Sequence, residues 1–184
     1  MKLSEAIKTR QSIRAYLEEP VSAEEVAEVV EAGRWAPNAG PFHISVIRNE
    51  TVLRKINDLT HQAMEQSSRE FLRERAALPG YEPLYGAPVV LLLSAPVDSP
   101  YGAFNAALAA ENMIIQATVL GLGSCFVVSP GLTLKGEGSR SLATEAGIPD
   151  GYEFQCAVLL GHTADEDRFS LGERKQKGTV EYLD

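Results

Sequence analysis

The chain has 184 residues, 45% of them hydrophobic and 23% charged, which suits a single globular domain and excludes a disordered or fibrous protein. Its formal net charge of −8 argues against a general nucleic-acid-binding protein. The charge is uneven, because residues 1–14 and 168–177 each carry four basic residues and one acidic residue, whereas the span between them is strongly acidic. The two basic segments could bind one compact anion such as a phosphate, although two termini that only improve solubility would show the same charge pattern.

The spacing of apolar and polar residues changes from a helical to an extended pattern after the short amphipathic helix predicted at the N-terminus. If the chain is extended there, Arg10, Ser12 and Arg14 share one side, and Ile13 faces the other. Two guanidinium groups beside a hydroxyl form a good grip for an oxyanion or a phosphate. The same alternation also suits an ordinary exposed strand, so both interpretations stay open.

A capping box at Ser22 and Glu25 predicts a helix that ends near Gly33. The loop over residues 36–41 comes next and leads into a strand over residues 43–48. Its small residues and two prolines give a rigid backbone that a flat ring could approach closely, and a plain connecting loop would explain the same residues.

The middle of the chain predicts one long helix over residues 53–78 and a continuous apolar strand over residues 88–95. Between them, the loop that begins at Pro79 carries Tyr81 and Tyr85. We expect both aromatic side chains to be exposed and available to cover a pocket.

Residues 103–120 predict a helix that is apolar on nearly every face and too short and polar to span a membrane. Such a helix needs neighbours on all sides. It is either the central helix of an intimate dimer or the core helix of a monomeric α/β domain, and the sequence leaves both open.

The last third predicts core strands over residues 124–128 and 154–161, with a glycine-rich loop at 131–138 and a short helix at 140–146 between them. Residues 179–183 also have strand character. A terminal strand must pair with a sheet, and the sheet of a partner chain is one candidate.

Sequence motifs for nucleophilic, zinc-dependent or nucleotide-binding chemistry are absent: there is no GxSxG, HExxH or Walker A pattern. The cysteines Cys125 and Cys156 lack a CxxC pattern or a histidine at ligand spacing, which predicts buried free thiols and no metal site. A phosphate grip without an acid, base or nucleophile suggests that a cofactor carries the reactivity. The N-terminus lacks the long apolar run of a signal peptide, so we expect a cytoplasmic protein.

Six segments, in order along almost the whole chain, resemble the FMN-dependent nitroreductase family. They correspond to its RRSxRxF signature, APSA loop, QN helix, GLGS turn, GIPEGY…LG segment and late basic pair, which match residues 10–16, 36–39, 111–113, 121–125, 147–161 and 174–175. The loop departs from the family's APSAGNxQPW pattern, because Gly40 is followed directly by Pro41, Phe42 and His43. About three residues, including the Asn and Gln, are missing, which bears on the flavin pose.

The resemblance implies an α+β fold with a mainly antiparallel central sheet flanked by helices, in an intertwined homodimer that holds two FMN at the subunit interface. It implies that flavin N5, and no essential proton-transferring side chain, carries the chemistry. The implied FMN-binding residues are Arg10, Ser12, Arg14, Arg174 and Lys175 at the phosphate, Gln11 close to the ring, Pro37, Asn38, Ala39 and Gly40 against the ring from the partner chain, and Val128 and Ser129 beside N5.

The implied function is an NAD(P)H-dependent oxidoreductase that reduces nitroaromatic, quinone or related small-molecule acceptors by a ping-pong mechanism. NADH or NADPH would be the donor. An FMN carrier or sensor without NAD(P)H turnover is the alternative from another class, and a cofactor-free dimeric scaffold is the third.

Overall fold

A four-stranded antiparallel sheet forms the centre of the protein, with strand order β1-β2-β4-β3 and helices on both faces. The computed structural model describes residues 1–136, 138–164 and 177–183. The predicted α+β architecture with an antiparallel sheet is therefore confirmed. In chain order the elements are α1 (Leu3–Thr9), α2 (Ala23–Arg34), β1 (His43–Ile47), α3 (Glu50–Glu65), α4 (Glu70–Ala76), β2 (Val89–Pro96), α5 (Gly102–Val119), β3 (Gly123–Val127), α6 (Gly131–Leu134), α7 (Arg140–Glu145) and β4 (Tyr152–Gly161).

The two middle strands, β2 and β4, are covered on both faces, which explains why they are apolar without alternation. Leu91 and Leu93 of β2 belong to the core cluster that includes α2 and α5. Val90 and Leu92 belong to the opposite cluster, which includes residues of α3, α6 and α7. The prediction of a central strand at this position is confirmed.

The capping box at the start of α2 is confirmed in both directions. The Glu25 backbone N–H donates to Ser22 Oγ at 3.1 Å, and the Ser22 backbone N–H donates to the Glu25 carboxylate at 2.9 Å. These two bonds satisfy orphan donors at the helix N-terminus.

Within a single chain the helix α5 is buried on one side only, so one copy does not supply neighbours on all sides of it. Its inner face is lined by small residues, with Met113 and Ile114 packed against α2 and the sheet. Its outer face carries Phe104, which is 67% exposed, and Leu108, which is 46% exposed. A row of large apolar side chains in water is a feature of interaction surfaces.

The predicted helix over residues 53–78 is wrong, because the structure has two helices, α3 and α4, in that region. The break falls at Ser67 and Ser68. There the Ser67 hydroxyl accepts the Arg69 backbone N–H at 3.2 Å, and the Arg73 guanidinium donates to the Ser67 carbonyl at 2.6 Å. Serine side chains compete with the helical hydrogen-bond ladder in this way.

The predicted loop over residues 131–138 is also wrong at its start, where α6 forms a helical turn behind Pro130. The phenyl ring of Phe154 lies 3.2 Å from where a Cβ on Gly131 would be. Gly131 therefore permits the close approach of Phe154. Because glycine is also typical of loops, the sequence pattern predicted a loop here.

Residues 179–183 form no strand within this single chain, and their pairing with the sheet of a partner chain stays a prediction. Val180, Tyr182 and Leu183 are more than three-quarters exposed. Within the described residues, no helix combines the length and the apolar character needed to cross a lipid bilayer.

Candidate functional site

The segment that follows α1 is held against β3 by its own backbone. The Ile13 N–H donates to the Ser124 carbonyl at 2.8 Å, and Ser12 and Ser124 form an isolated parallel bridge. The side chain of Ile13 is buried against Gly123, whose missing Cβ leaves room for it. Arg10, Ser12 and Arg14 are each half-buried. That their side chains share one side of the segment stays a prediction.

The guanidinium of Arg14 is folded back onto its own segment and lies near an aromatic ring. It donates from Nη1 to the Ser12 carbonyl at 3.1 Å, and its Cζ lies 6.0 Å from the centre of the Tyr85 ring. This distance is the outer limit for a cation–π contact. The arrangement gives Arg14 a defined position beside Ser12, which is what an anion-binding group needs.

Tyr85 is itself held by several groups in an uncommon backbone conformation. Its φ of +51° lies in the left-handed region, which costs a non-glycine residue of this size about 1–2 kcal/mol. The Arg75 guanidinium donates to the Tyr85 hydroxyl at 2.9 Å. Tyr81 packs edge-to-face on Tyr85 with ring centres 5.6 Å apart. These contacts offset the backbone strain.

The expectation that Tyr81 is exposed is wrong. Its side chain is only 7% exposed, and its hydroxyl donates to the Met64 sulfur at 3.8 Å. Burial, with a contribution from nearby Tyr85, raises the pKa of Tyr81 above its usual value, so the phenol stays neutral. Tyr85 is half-buried, and both rings support the interior rather than cover a pocket.

The loop over residues 37–40 is attached to the first turn of α5 by one buried side chain, Asn105, which is 2% exposed. Its Oδ1 accepts the Ala39 backbone N–H at 2.9 Å, and its Nδ2 donates to the Gly40 carbonyl at 3.3 Å. Gly40 has a φ of +110°, which favours glycine. No role was predicted for Asn105, although a polar residue inside an otherwise apolar helix was a signal.

The predicted residues at the end of β3 lie at an exposed turn. Val128 is 59% exposed, and its carbonyl accepts the Gly131 N–H at 3.0 Å. The Ser129 carbonyl accepts the Leu132 N–H at 3.0 Å. The first turn of α6 therefore fixes the backbone at this point.

A single chain does not bring the two main groups of predicted site residues together. The loop over residues 37–40 contacts the N-terminal turn of α5, whereas Ser12 pairs with Ser124, which follows the C-terminal end of that helix. The helix has 18 residues, so its ends are about 27 Å apart. The two groups are therefore held near opposite ends of α5 in one chain. The predicted residues Arg174 and Lys175 lie outside the described residues.

Three surface clefts of the described residues lie away from the predicted site residues. A cleft of about 780 Å³ lies between α3 and the turn at residues 82–88, and it is lined by Tyr16, Glu18 and a mixture of charged and apolar residues. A site assembled from two chains would not be enclosed in one of them. Within residues 1–136, 138–164 and 177–183, no group of His, Cys, Asp and Glu could hold a metal ion.

Comparison with known proteins gives the family. The family model "Nitroreductase family" matches residues 7–162. The chain belongs to the nitroreductase family. The match spans the segment at Arg10 to Arg14, the 37–40 loop, α5 and the whole sheet.

Relatives of this nitroreductase-family chain cover nearly its full length. A crystal structure of a nitroreductase with bound FMN from Bacteroides fragilis is 29% identical, with a TM-score of 0.87 and 100% of both chains covered. A nitroreductase with bound FMN from Desulfitobacterium hafniense is 22% identical, has a TM-score of 0.84, covers 98% of this chain and 100% of its own, and supports the fold alone. The protein named "Putative NADH dehydrogenase/NAD(P)H nitroreductase" from Archaeoglobus fulgidus is 27% identical over 89% of this chain and 86% of its own.

Proposed function

We propose that the protein is an FMN-dependent oxidoreductase that uses NADH or NADPH to reduce small-molecule acceptors such as nitroaromatics and quinones. One observation carries the proposal: the half-buried Arg10, Ser12 and Arg14 belong to a segment that is fixed by burial of Ile13 against Gly123 and by the Ile13–Ser124 backbone hydrogen bond. The FMN bound by the Bacteroides fragilis relative, which is similar over the full length of the chain, supports the same cofactor here.

The residues of this segment fit the phosphate group of FMN. Two guanidinium groups and a hydroxyl are the donors that a phosphate dianion prefers, and half-burial strengthens their attraction. Arg174 and Lys175 would complete the phosphate site, and Gln11 would lie near the ring. Bound FMN would supply hydride and electron transfer. The chain would bind and orient it, with a backbone N–H at Val128 or Ser129 stabilising negative charge near N5.

We further propose that two copies form the site. The loop over residues 37–40 and the Arg10 segment lie at opposite ends of α5, so the loop would reach the flavin of a partner copy. The exposed Phe104 and Leu108 would then be covered in a homodimer. The extended residues 179–183 would add to a sheet edge of the partner.

The deciding experiment is an anaerobic visible spectrum of the purified protein, recorded before and after addition of NADH and then NADPH. Flavin bands that bleach support the oxidoreductase and identify its donor. Bands that persist would instead favour an FMN carrier or sensor. The absence of flavin bands, even after FMN is added, would contradict the proposal and leave a cofactor-free scaffold.

The phosphate grip is tested with a double variant, Arg10→Ala with Arg14→Ala. We expect it to lose the flavin colour and the stabilisation that bound ligand confers by mass action. The matched control is Arg34→Ala with Arg54→Ala, since both side chains are exposed and pair with glutamates of their own helices. It removes the same charge and should keep the colour. Equal loss in both double variants would contradict a specific phosphate site.

A further inference from the structure

The tie between Asn105 and the 37–40 loop uses both ends of one side-chain amide. Oδ1 accepts from the Ala39 N–H at 2.9 Å while Nδ2 donates to the Gly40 carbonyl at 3.3 Å. The side chain is 2% exposed, so water does not substitute readily for either bond. A neutral amide is the common side chain that can donate and accept from one planar group in this way.

The loop has few internal bonds of its own among the described residues. Pro37 and Pro41 have no backbone N–H to donate, and the Asn38 side chain reaches only back to the Ala36 carbonyl at 3.3 Å. Gly40 adopts a φ of +110° and has no neighbouring atom within 4 Å of a Cβ position. The attachment to Asn105 is therefore what sets the position of Ala39 and Gly40 relative to α5.

We propose that Asn105 is a positioning residue that holds the 37–40 loop in the position relative to α5 that lets it pack against the flavin ring of a partner copy. The inference rests on the proposed FMN function. Asn105 acts through the loop backbone and not by contact with the cofactor. Asn105 lies in the first turn of α5, whose outer face is exposed. It therefore joins the loop directly to the helix proposed to form the dimer interface.

The same helix provides a matched control. Asn112 also donates its side-chain amide to a backbone carbonyl, that of Ala32, at 3.1 Å. That bond holds the end of α2 and does not involve the loop. Asn112→Ala therefore removes a comparable hydrogen bond from α5 while leaving Ala39 and Gly40 attached.

The first measurement is amide hydrogen exchange of Ala39 in the FMN-free protein. Asn105→Ala should accelerate exchange by about tenfold because it removes the acceptor, whereas Asn112→Ala should change it less than about twofold. Asn105→Asp keeps an acceptor for the Ala39 N–H but loses the donor to Gly40. The Ala39 exchange rate of Asn105→Asp should lie between the rates of the two alanine variants. Asn105→Asp also serves as the test if Asn105→Ala does not fold.

The second measurement is FMN affinity and the visible spectrum of the bound flavin. Asn105→Ala should raise the Kd by about tenfold and alter the flavin bands, because the loop no longer packs on the ring in one position. Asn112→Ala should keep the wild-type Kd and spectrum. A purely stabilising role for Asn105 would leave the spectrum unchanged.

The outcomes separate the two proposals. If the wild-type protein binds no FMN, the proposed function fails, and the exchange data still report whether Asn105 holds the loop. If FMN binds and Asn105→Ala leaves both Ala39 exchange and the Kd unchanged, the inference is overturned. It is also overturned if exchange accelerates while FMN binding is unaffected, or if Asn112→Ala weakens FMN binding as strongly.

Discussion

Gly161 shows how a single residue type is dictated by close packing at the end of β4. A Cβ at this position would lie 2.7 Å from Tyr16 Cδ1 and 2.8 Å from Pro88 Cδ. Both atoms belong to rigid rings that cannot move aside. Tyr16 is in turn held by its hydroxyl, which donates to the Ile13 carbonyl at 2.9 Å, so the packing reaches the proposed phosphate segment.

We therefore expect Gly161→Ala to lower the free energy of unfolding by about 1–3 kcal/mol, the usual cost of overpacking. Urea unfolding followed by circular dichroism measures it. Gly33→Ala is the comparison, because there the clash is with Met113, whose Cε lies 2.3 Å and Cγ 2.8 Å from the Cβ position. This unbranched side chain can rotate away more readily than a ring can, and a helical alanine gains about 1 kcal/mol. A Gly161→Ala loss no larger than that of Gly33→Ala would contradict this account of the packing.

The two cysteines give a second prediction at this scale. Cys125 is 2% exposed and Cys156 is 3% exposed, and burial raises the pKa of Cys156 to about 12. A thiol with a raised pKa is fully protonated at neutral pH and is a poor nucleophile. We expect both thiols to react with a disulfide reagent only at the rate of unfolding. A fast-reacting thiol in the native protein would contradict their burial.

At the scale of the element, α2 depends on its capping box. The Ser22 backbone N–H, which donates to Glu25, holds the pKa of that carboxyl below its usual 4.5. Because the folded pKa is lower than the unfolded one, the stabilisation is complete above the unfolded pKa and is lost as the pH falls through the folded pKa.

The stability difference between wild type and Glu25→Gln should therefore shrink between about pH 6 and about pH 3. We expect it to be only a few tenths of a kcal/mol, since the carboxylate is largely in contact with solvent. Denaturant unfolding at the two pH values measures the difference. Glu24→Gln removes the same charge one residue earlier without touching the Ser22 bonds, and it is the matched control for the loss of charge. A difference that grows as the pH falls would contradict the predicted sign.

At the scale of the whole molecule, the outer face of α5 argues for a second copy of the chain. Phe104 is 67% exposed in one chain and Leu108 is 46% exposed, on the helix whose two ends hold the separated halves of the proposed site. Dimerisation would bury this face and bring the halves together. The same contact would thus account for both observations.

We expect Phe104→Glu to convert the protein from a dimer to a monomer, because a carboxylate would have to be buried at the interface. Analytical ultracentrifugation measures the mass. Phe71→Glu is the matched control, since Phe71 of α4 is 62% exposed and lies outside this face. It should leave the mass unchanged. A monomeric wild type would contradict the two-copy site.

Much of the fold was predictable because it depends on local patterns. The apolar run of β2 and the capping box at Ser22 are both confirmed, since each is decided within a few residues. The break between α3 and α4 was missed because two serines can either join a helix or bond to nearby backbone, and the pattern does not say which. Gly131 was misinterpreted because its role depends on the distant Phe154.

The sequence by itself determined the family, the antiparallel α+β architecture and the candidate phosphate grip, because these depend on the order of motifs and on the alternation of side chains along the chain. Only the tertiary structure decided that Asn105 bonds to the 37–40 loop, that Tyr81 is buried and that the two groups of proposed site residues lie near opposite ends of α5. Each of these depends on residues far apart in sequence. Their contacts arise from the packing of whole elements, which no local pattern encodes.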